Sequence, residues 1–367
     1  MLSEYVVTYL MVTPQPVIGR SGRHVPHDAG CSGRGNASKA GPDFAHSAAM
    51  RAKILLVVVA FLSSMVLATT AQPADTQAPV VNETLATQIM LDRIGFSPGE
   101  IDGRSGPNLK RALLAFQQAN ELATSGRVDP ASWNALTKRA NAQPPLVKYE
   151  LVEADLAGPF IDSIPADLME QSRLPALSYT SPIEALGEKF HSSPALLRKL
   201  NPTASFASAG EQIVVPNIAV PDPTAPIAGR RPMATIEVSK ETSALTVHDE
   251  EGHVLFHAPV TSGSEHDPLP VGSWNVKGVR RMPDFNYNPA LFWDANPSHA
   301  KARIAPGPNN PVGTIWIDLS KEHYGIHGTP EPGKIGHTQS HGCVRLTNWD
   351  AARVAEWARP GTQVIFK

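Results

Sequence analysis

The chain has 367 residues, too many for one ordinary domain and enough for two or three. A hydrophobic share of 42% suits a globular protein, and a formal net charge of −2 gives no basic footprint for nucleic acid, so no nucleic-acid partner is expected. Proline is abundant, at 34 residues, which points to linkers and many turns.

Met50-Arg-Ala-Lys53 is a short basic start, and Ile54 to Leu67 is apolar apart from two serines. Ala68-Thr-Thr-Ala71 then offers small residues suited to cleavage, so 50–71 has the layout of a signal peptide. A signal should open a chain, yet 49 residues precede this one, without periodicity and rich in Gly, Ser, His and Arg. The expectation is that Met50 is the true start and 1–49 is a non-native upstream over-read. The alternative is a cytoplasmic tail before an uncleaved anchor, since Ile54 to Ala74 is 21 residues without a charge. Membrane contact is expected only through that export signal or anchor, and the destination is an exported one, the periplasm or cell-wall compartment.

The two cysteines are Cys31 and Cys343. Without residues 1–71 Cys343 is alone, and the charge becomes 26 Lys/Arg against 31 Asp/Glu, a net of −5. In an oxidising compartment a single unpaired thiol is better explained as a reactive group than as a structural one.

After a polar spacer, a helical pattern begins at Asn82 with Leu85, Ile89 and Leu91. Pro98-Gly-Glu-Ile-Asp-Gly103 is turn chemistry. Leu109, Leu113 and Phe116 mark a second helix, and Asp129-Pro130 caps a third carrying Trp133 and Leu136. The turn, the Phe116-Gln117 pair and Gly126-Arg-Val-Asp-Pro-Ala-Ser-Trp133 occur in an order that resembles the three-helix peptidoglycan-binding domain, over 82–140.

Tyr149-Glu-Leu-Val152 reads as a weak strand and Ile164 to Leu174 as a short helix, with no function attached. Ser181-Pro-Ile-Glu184 is a capping box opening a helix to about Phe190, and Ser193-Pro194 caps another with Leu196, Leu197 and Leu200. Gly210-Glu-Gln-Ile-Val-Val-Pro216 is a strand. Two helices, Asn201-Pro202 and that strand resemble a lysin motif, a small α+β glycan-binding unit within 145–218, with Tyr179-Thr-Ser-Pro182 where its first strand belongs. The other reading is a merely structural helical hairpin.

A proline-rich linker covers 219–232. Beyond it, over 233–367, the period becomes that of strands: Ala234 to Val238, Ala244 to Val247, Val254 to Val260, Pro270 to Val276, Gly313 to Leu319 and a closing Val364 to Phe366. Asp249-Glu-Glu-Gly252 is a hairpin turn, and the whole series predicts a mostly-β sandwich or barrel. Met282 to Pro311 is a long stretch of the kind that forms a lid over a site. Asn348 is expected to cap a helix from Asp350 to Ala358.

Within this domain His327-Gly328 is followed, sixteen residues after the histidine, by Cys343 in Ser340-His-Gly-Cys-Val-Arg345. If Gln339 to Leu346 is one strand, His341, Cys343 and Arg345 share a face. A thiol with an imidazole in reach becomes a thiolate, the form that attacks carbonyls, and Gly342 leaves room for a substrate backbone. His341 is a rival base on the same face. Among other classes, His327, His337, His341 and Cys343 are N and S ligands of the kind zinc accepts, within 17 residues, but there is no Cys-x-x-Cys or His-Glu-x-x-His.

These residues resemble the signature of the L,D-transpeptidase catalytic domain of bacterial cell-wall enzymes. Pro268 to Trp274, Gly307 to Gly313 and Arg345 to Asp350 extend the resemblance over about 234–367. It implies Cys343 as nucleophile, His327 as base, a backbone carbonyl near Gly328 orienting the imidazole, and no cofactor. The N–H groups of Gly342 and Cys343 are candidate oxyanion donors, Ser340 and His341 line the site, and Arg345 either holds a substrate carboxylate or orders the loop. The implied partners are peptidoglycan stem peptides and glycan strands. The chain is therefore read as multidomain: a small all-α unit, a small α+β unit and a mostly-β sandwich catalytic domain that should act alone on soluble substrates. Alternatives left open are an L,D-carboxypeptidase, which resolves the acyl-enzyme with water, and a non-catalytic or zinc-containing wall-binding protein.

Overall fold

The computed structural model describes residues 11–12, 81–220 and 231–367. The expected signal peptide, nearly all of 1–49 and most of the proline-rich linker lie outside the described residues.

In chain order the elements begin with a two-residue strand β1 (Met11–Val12) and three helices, α1 (Glu83–Arg93), α2 (Pro107–Ala119) and α3 (Pro130–Arg139). Asn82 and Asp129 cap α1 and α3 by accepting the N–H groups of Leu85 and Ser132. Phe96 meets Phe116 edge-on at 5.5 Å in the core of this unit. The buried amide of Gln117 donates to Arg127 O and the Ser132 hydroxyl and accepts from Gly126 N–H, which ties the turn before α3 to α2. Buried residues lie all round α1 because it is wedged between two cores. Ala86, Met90 and Leu91 pack within the helical unit, while Leu85 and Ile89 pack on Leu146, Leu196 and Leu200 of the next one.

The middle unit holds β2 (Leu146–Glu150), α4 (Glu153–Leu156), α5 (Leu168–Gln171), α6 (Pro182–Lys189), α7 (Pro194–Leu200) and β3 (Gln212–Pro216). β2 and β3 pair antiparallel, and β1 lies parallel along β2. The strand preceding the helix pair is therefore 146–150, not Tyr179 to Pro182, where Tyr179 makes only an isolated bridge to Phe160. The expected capping box at Ser181 does not close: Ser181 makes no side-chain cap bond, and Glu184 accepts the Thr180 N–H instead.

The C-terminal unit contains β4 (Thr235–Ser239), β5 (Ala244–His248), β6 (Val254–Pro259), β7 (Thr261–Ser262), β8 (Gly272–Arg281), β9 (Phe285–Tyr287), β10 (Ala302–Ile304), β11 (Ile315–Leu319), β12 (Gly325–His327), β13 (Val344–Arg345), α8 (Asn348–Ala355) and β14 (Gln363–Phe366). Nine strands form one sheet in the order β6-β5-β4-β14-β8-β11-β12-β13-β7. The two strands at its ends, β6 and β7, are joined through Val260 alone, so the sheet must fold back on itself. Alternate residues such as Ile315, Ile317 and Leu319 then enter one core with Val354 and Trp357 at the C-terminal helix. Thr347, not Asn348, caps α8, by accepting the Asp350 N–H at 3.1 Å. The stretch 282–311 is not irregular throughout: β9 and β10 pair antiparallel, and Tyr287 and Ile304 pack with Leu177 of the middle unit.

The upstream units are built onto the sheet rather than tethered to it. Ser97 N–H donates to His257 O at 2.7 Å and His257 N–H to Gly95 O at 2.9 Å, which covers the edge of β6. Asp92 from α1, His191 after α6, and Arg353 and Asp350 from α8 meet in a buried polar junction. There His191 stacks on Trp349 at 5.0 Å.

Candidate active site

β12 and β13 lie side by side and parallel, with Ile326 opposite Val344 and His327 opposite Arg345. This pairing brings His327 beside the stretch that holds Cys343, although 16 residues separate them along the chain. Gln339 to Leu346 is not one strand. Only Val344 and Arg345 are, because Gly342 takes a left-handed φ of +96° and breaks the alternation.

His327 is buried and stacked on Trp316, its neighbour across β11, at 5.5 Å. Its Nδ1 is 2.7 Å from Gly328 O. A carbonyl only accepts, so Nδ1 carries the proton and Nε2 keeps a free lone pair. Burial, helped by the Arg345 guanidinium, pushes the imidazole down to about 3 against the Gly328 bond, so it rests neutral.

Cys343 is half-buried, and its thiol donates to His323 O at 3.7 Å. Burial pushes the thiol up, while the Gly325 N–H and Arg345 pull the other way. The pair therefore rests as neutral thiol and neutral imidazole, not as the thiolate the motif suggested. Arg345 is the cation whose charge acts on the Cys343 thiol, and its buried Nε has no hydrogen-bond partner. Ser340 is buried and donates its hydroxyl to Cys343 O at 2.6 Å, closing the turn that presents the thiol.

His341 points away into the long segment. Its Nε2 is 2.8 Å from Asp294 Oδ1 and its ring packs edge-on against Phe292 at 5.1 Å. The space beside Gly342 is occupied: a Cβ there would lie 2.7 Å from the Tyr324 ring. Gly342 thus admits a tyrosine and a positive φ, rather than leaving the gap for substrate read from the sequence. Gly328 is equally required, because a Cβ on it would come 2.1 Å from Asn348 Oδ1.

His327, His337, His341 and Cys343, weighed for zinc, do not bring their ligand atoms together in one close group. Among the described residues the one close group of metal-capable side chains is Asp249, Glu251 and His253, at the turn between β5 and β6. Sequence reasoning missed Tyr324, Asp294 and Asn348 at this site. Asn348 lay within a stretch already singled out, but helix-cap spacing assigned it a different task.

A family model described as "L,D-transpeptidase catalytic domain" matches residues 233–366. The chain carries an L,D-transpeptidase catalytic domain. A second family model, "Putative peptidoglycan binding domain", matches residues 82–136, the three-helix unit. Among curated proteins, the "Putative L,D-transpeptidase YkuD" of Bacillus licheniformis is 29% identical over 184 residues, covering 50% of this chain and 91% of that protein. Among solved structures, an L,D-transpeptidase from Xylanimonas cellulosilytica is 18% identical with a TM-score of 0.32, covering 78% of this chain and 93% of that one. An L,D-transpeptidase from Mycobacterium smegmatis is 17% identical with a TM-score of 0.30, covering 44% of this chain and 64% of that one. A helical peptidoglycan-binding unit thus precedes a mostly-β L,D-transpeptidase domain in a single chain.

Proposed function

We propose that this protein is a peptidoglycan L,D-transpeptidase that works through a Cys343 thioester. The observation that carries the reading is the fixed Nδ1–H of His327, which leaves Nε2 as a base on the strand next to the thiol. The thiol turns from His323 O toward the imidazole. Its proton passes to His327 Nε2 as sulfur attacks the carbonyl carbon of the bond between the L-centre and D-centre at stem position three. Because both groups rest neutral, proton transfer accompanies attack. The Gly342 and Cys343 N–H groups receive the oxyanion, and Arg345 faces the charge that builds on sulfur. The C–N bond then breaks, His327 returns the proton to the leaving D-amino acid, and a thioester remains. The amine of a second stem attacks that thioester, loses its proton to His327, and releases the thiol. This substrate lies outside the cytoplasmic membrane, so the protein acts in the periplasm or cell-wall compartment, delivered there by segment 50–71.

The test is intact mass after carbapenem treatment, since a strained lactam acylates a thiol. Wild type gains one adduct, Cys343→Ala gains none, and His327→Ala reacts at least about 100-fold more slowly. An adduct on Cys343→Ala overturns the assignment.

A further inference from the structure

The Gly328 carbonyl sets the state of His327, so whatever fixes that carbonyl governs the imidazole. Gly328 N–H donates to Ile315 O at 3.1 Å, which anchors one side. On the other side is Asn348. A Cβ on Gly328 would meet Asn348 Oδ1 at 2.1 Å and Asn348 Cα at 3.2 Å; a Cβ on Gly313 would meet the same Oδ1 at 2.1 Å and Gly328 C at 2.5 Å. The Asn348 amide is therefore wedged between two glycines and in contact with the backbone that holds the histidine.

The orientation of that amide is set by its partners. Oδ1 accepts Thr314 N–H at 3.0 Å. Nδ2 donates to Glu188 Oε2 at 2.9 Å and, more weakly, to Pro308 O at 3.3 Å. The stronger acceptor lies outside the catalytic domain: Glu188 is on α6, in the middle unit. Burial lifts its carboxyl to about 7, against the bonds from Asn348 and Tyr179. Four residues earlier on the same helix Glu184 makes a similar bond across the same junction, accepting Asn309 Nδ2 at 2.8 Å. The Asn309 amide donates to Glu184 and to Ser178 O, not to the backbone that holds His327, so Glu184 serves as the internal comparison.

We propose that Glu188 is a positioning residue for His327, acting through Asn348 and Gly328, so that the middle unit completes the catalytic domain instead of only preceding it. The proposal rests on His327 being the base. Without an acceptor at 188, Asn348 Nδ2 keeps only the long Pro308 contact, and the amide packed against the Gly328 backbone is held less firmly. The imidazole then samples the other tautomer, in which Nε2 carries the proton and cannot take one from sulfur.

The experiment uses the full chain with Glu188→Met, Glu188→Gln and Glu184→Met. Methionine keeps the side-chain length without an acceptor, and glutamine keeps the acceptor. Two readouts are taken: the His327 tautomer by nitrogen-15 NMR of the imidazole, and carbapenem acylation split into non-covalent binding and the first-order step. The expected result for Glu188→Met is a mixed tautomer and a first-order step slowed by about tenfold or more, with binding unchanged. Glu188→Gln and Glu184→Met stay at the wild-type tautomer and rate. If Glu188→Met does not fold, Glu188→Ala takes its place. A pure Nδ1–H tautomer in Glu188→Met overturns the proposal, and so does an equal loss in Glu184→Met, which would mean general loosening of the junction. The tautomer is read without any reaction, so absence of acylation in every protein sinks the proposed function while the positioning result still stands or falls by itself.

Discussion

Arg353, on the C-terminal helix, donates to the carboxylate of Asp92 at 2.9 Å, across 261 residues of chain. Asp92 is wholly buried and Arg353 nearly so. Burial by itself would raise the Asp92 carboxyl, but Arg353 and His191 together hold it below the usual carboxylate range. One ion pair thus joins the peptidoglycan-binding unit to the L,D-transpeptidase domain.

Asp92→Ala leaves the Arg353 guanidinium buried without its partner. The expected loss of stability is about 3–5 kcal/mol, read from urea unfolding of the full chain. Asp92→Leu combined with Arg353→Met removes both charges and is expected to recover most of it. A single variant less than about 1 kcal/mol below wild type would show that solvent reaches the pair.

The same guanidinium faces a second carboxyl, Asp350, whose Oδ2 accepts the Ser97 hydroxyl at 2.8 Å. Burial, with Asp92 adding to it, lifts Asp350 to about 7, while Arg353, Ser97 and Thr347 pull it down. Two carboxyls share one cation, and the one without the direct Arg353 bond keeps the proton. A raised carboxyl holds its proton more tightly in the folded state. Its stabilisation is complete below about 3.8 and is lost as pH rises through about 7. Asp350→Asn does not titrate, so its melting temperature should rise relative to wild type between pH 5 and pH 8. A gap independent of pH would reject the shift.

Gly342→Ala forces a side chain onto a φ of +96° and within 2.7 Å of the Tyr324 ring. The backbone cost alone is on the order of 1–2 kcal/mol. Carbapenem acylation should fall by about tenfold or more, and adding Tyr324→Ala should restore only part of it, because space returns and the backbone strain does not. Wild-type acylation by Gly342→Ala would mean that the turn adapts freely.

Asp294→Ala releases His341 from the 282–311 segment. The pair is partly exposed and contributes about 0–1 kcal/mol, so global stability should hardly change. Chymotrypsin should cut faster after Phe292 and Trp293, while Cys343 still forms its adduct. Unchanged cleavage would place the hold on the segment elsewhere, for instance in the stacking of Trp293 on His266 at 4.3 Å.

The helices of the first unit were legible because caps and apolar spacing are local: Asn82, Asp129-Pro130 and the Leu109, Leu113, Phe116 series act within a few residues. Strands β4, β5, β6, β11 and β14 and the first half of β8 were legible for the same reason, and the segment from His327 to Arg345 stood out by residue type and spacing. Three readings failed where a distant partner decided. Gly342 breaks the expected strand because the Tyr324 ring fills the space beside it. Asn348 yields the cap to Thr347 because its amide is held by Thr314 and Glu188. The first strand of the middle unit is Leu146 to Glu150 because Gln212 to Pro216 offers it a complete antiparallel register.

By itself the sequence determined which side chains carry chemistry, since a thiol, an imidazole and a guanidinium are properties of residue type. It also determined the order of helical and β units, which follows from hydrophobic period. The tertiary structure alone decided the protonation state of the site. Burial and the Gly328 carbonyl make His327 a neutral imidazole with a free Nε2, and no spacing in the chain encodes a dielectric. It also decided that the units are joined, because Asp92 and Arg353, and Glu188 and Asn348, pair only when segments far apart in sequence pack together and exclude water from the charges between them.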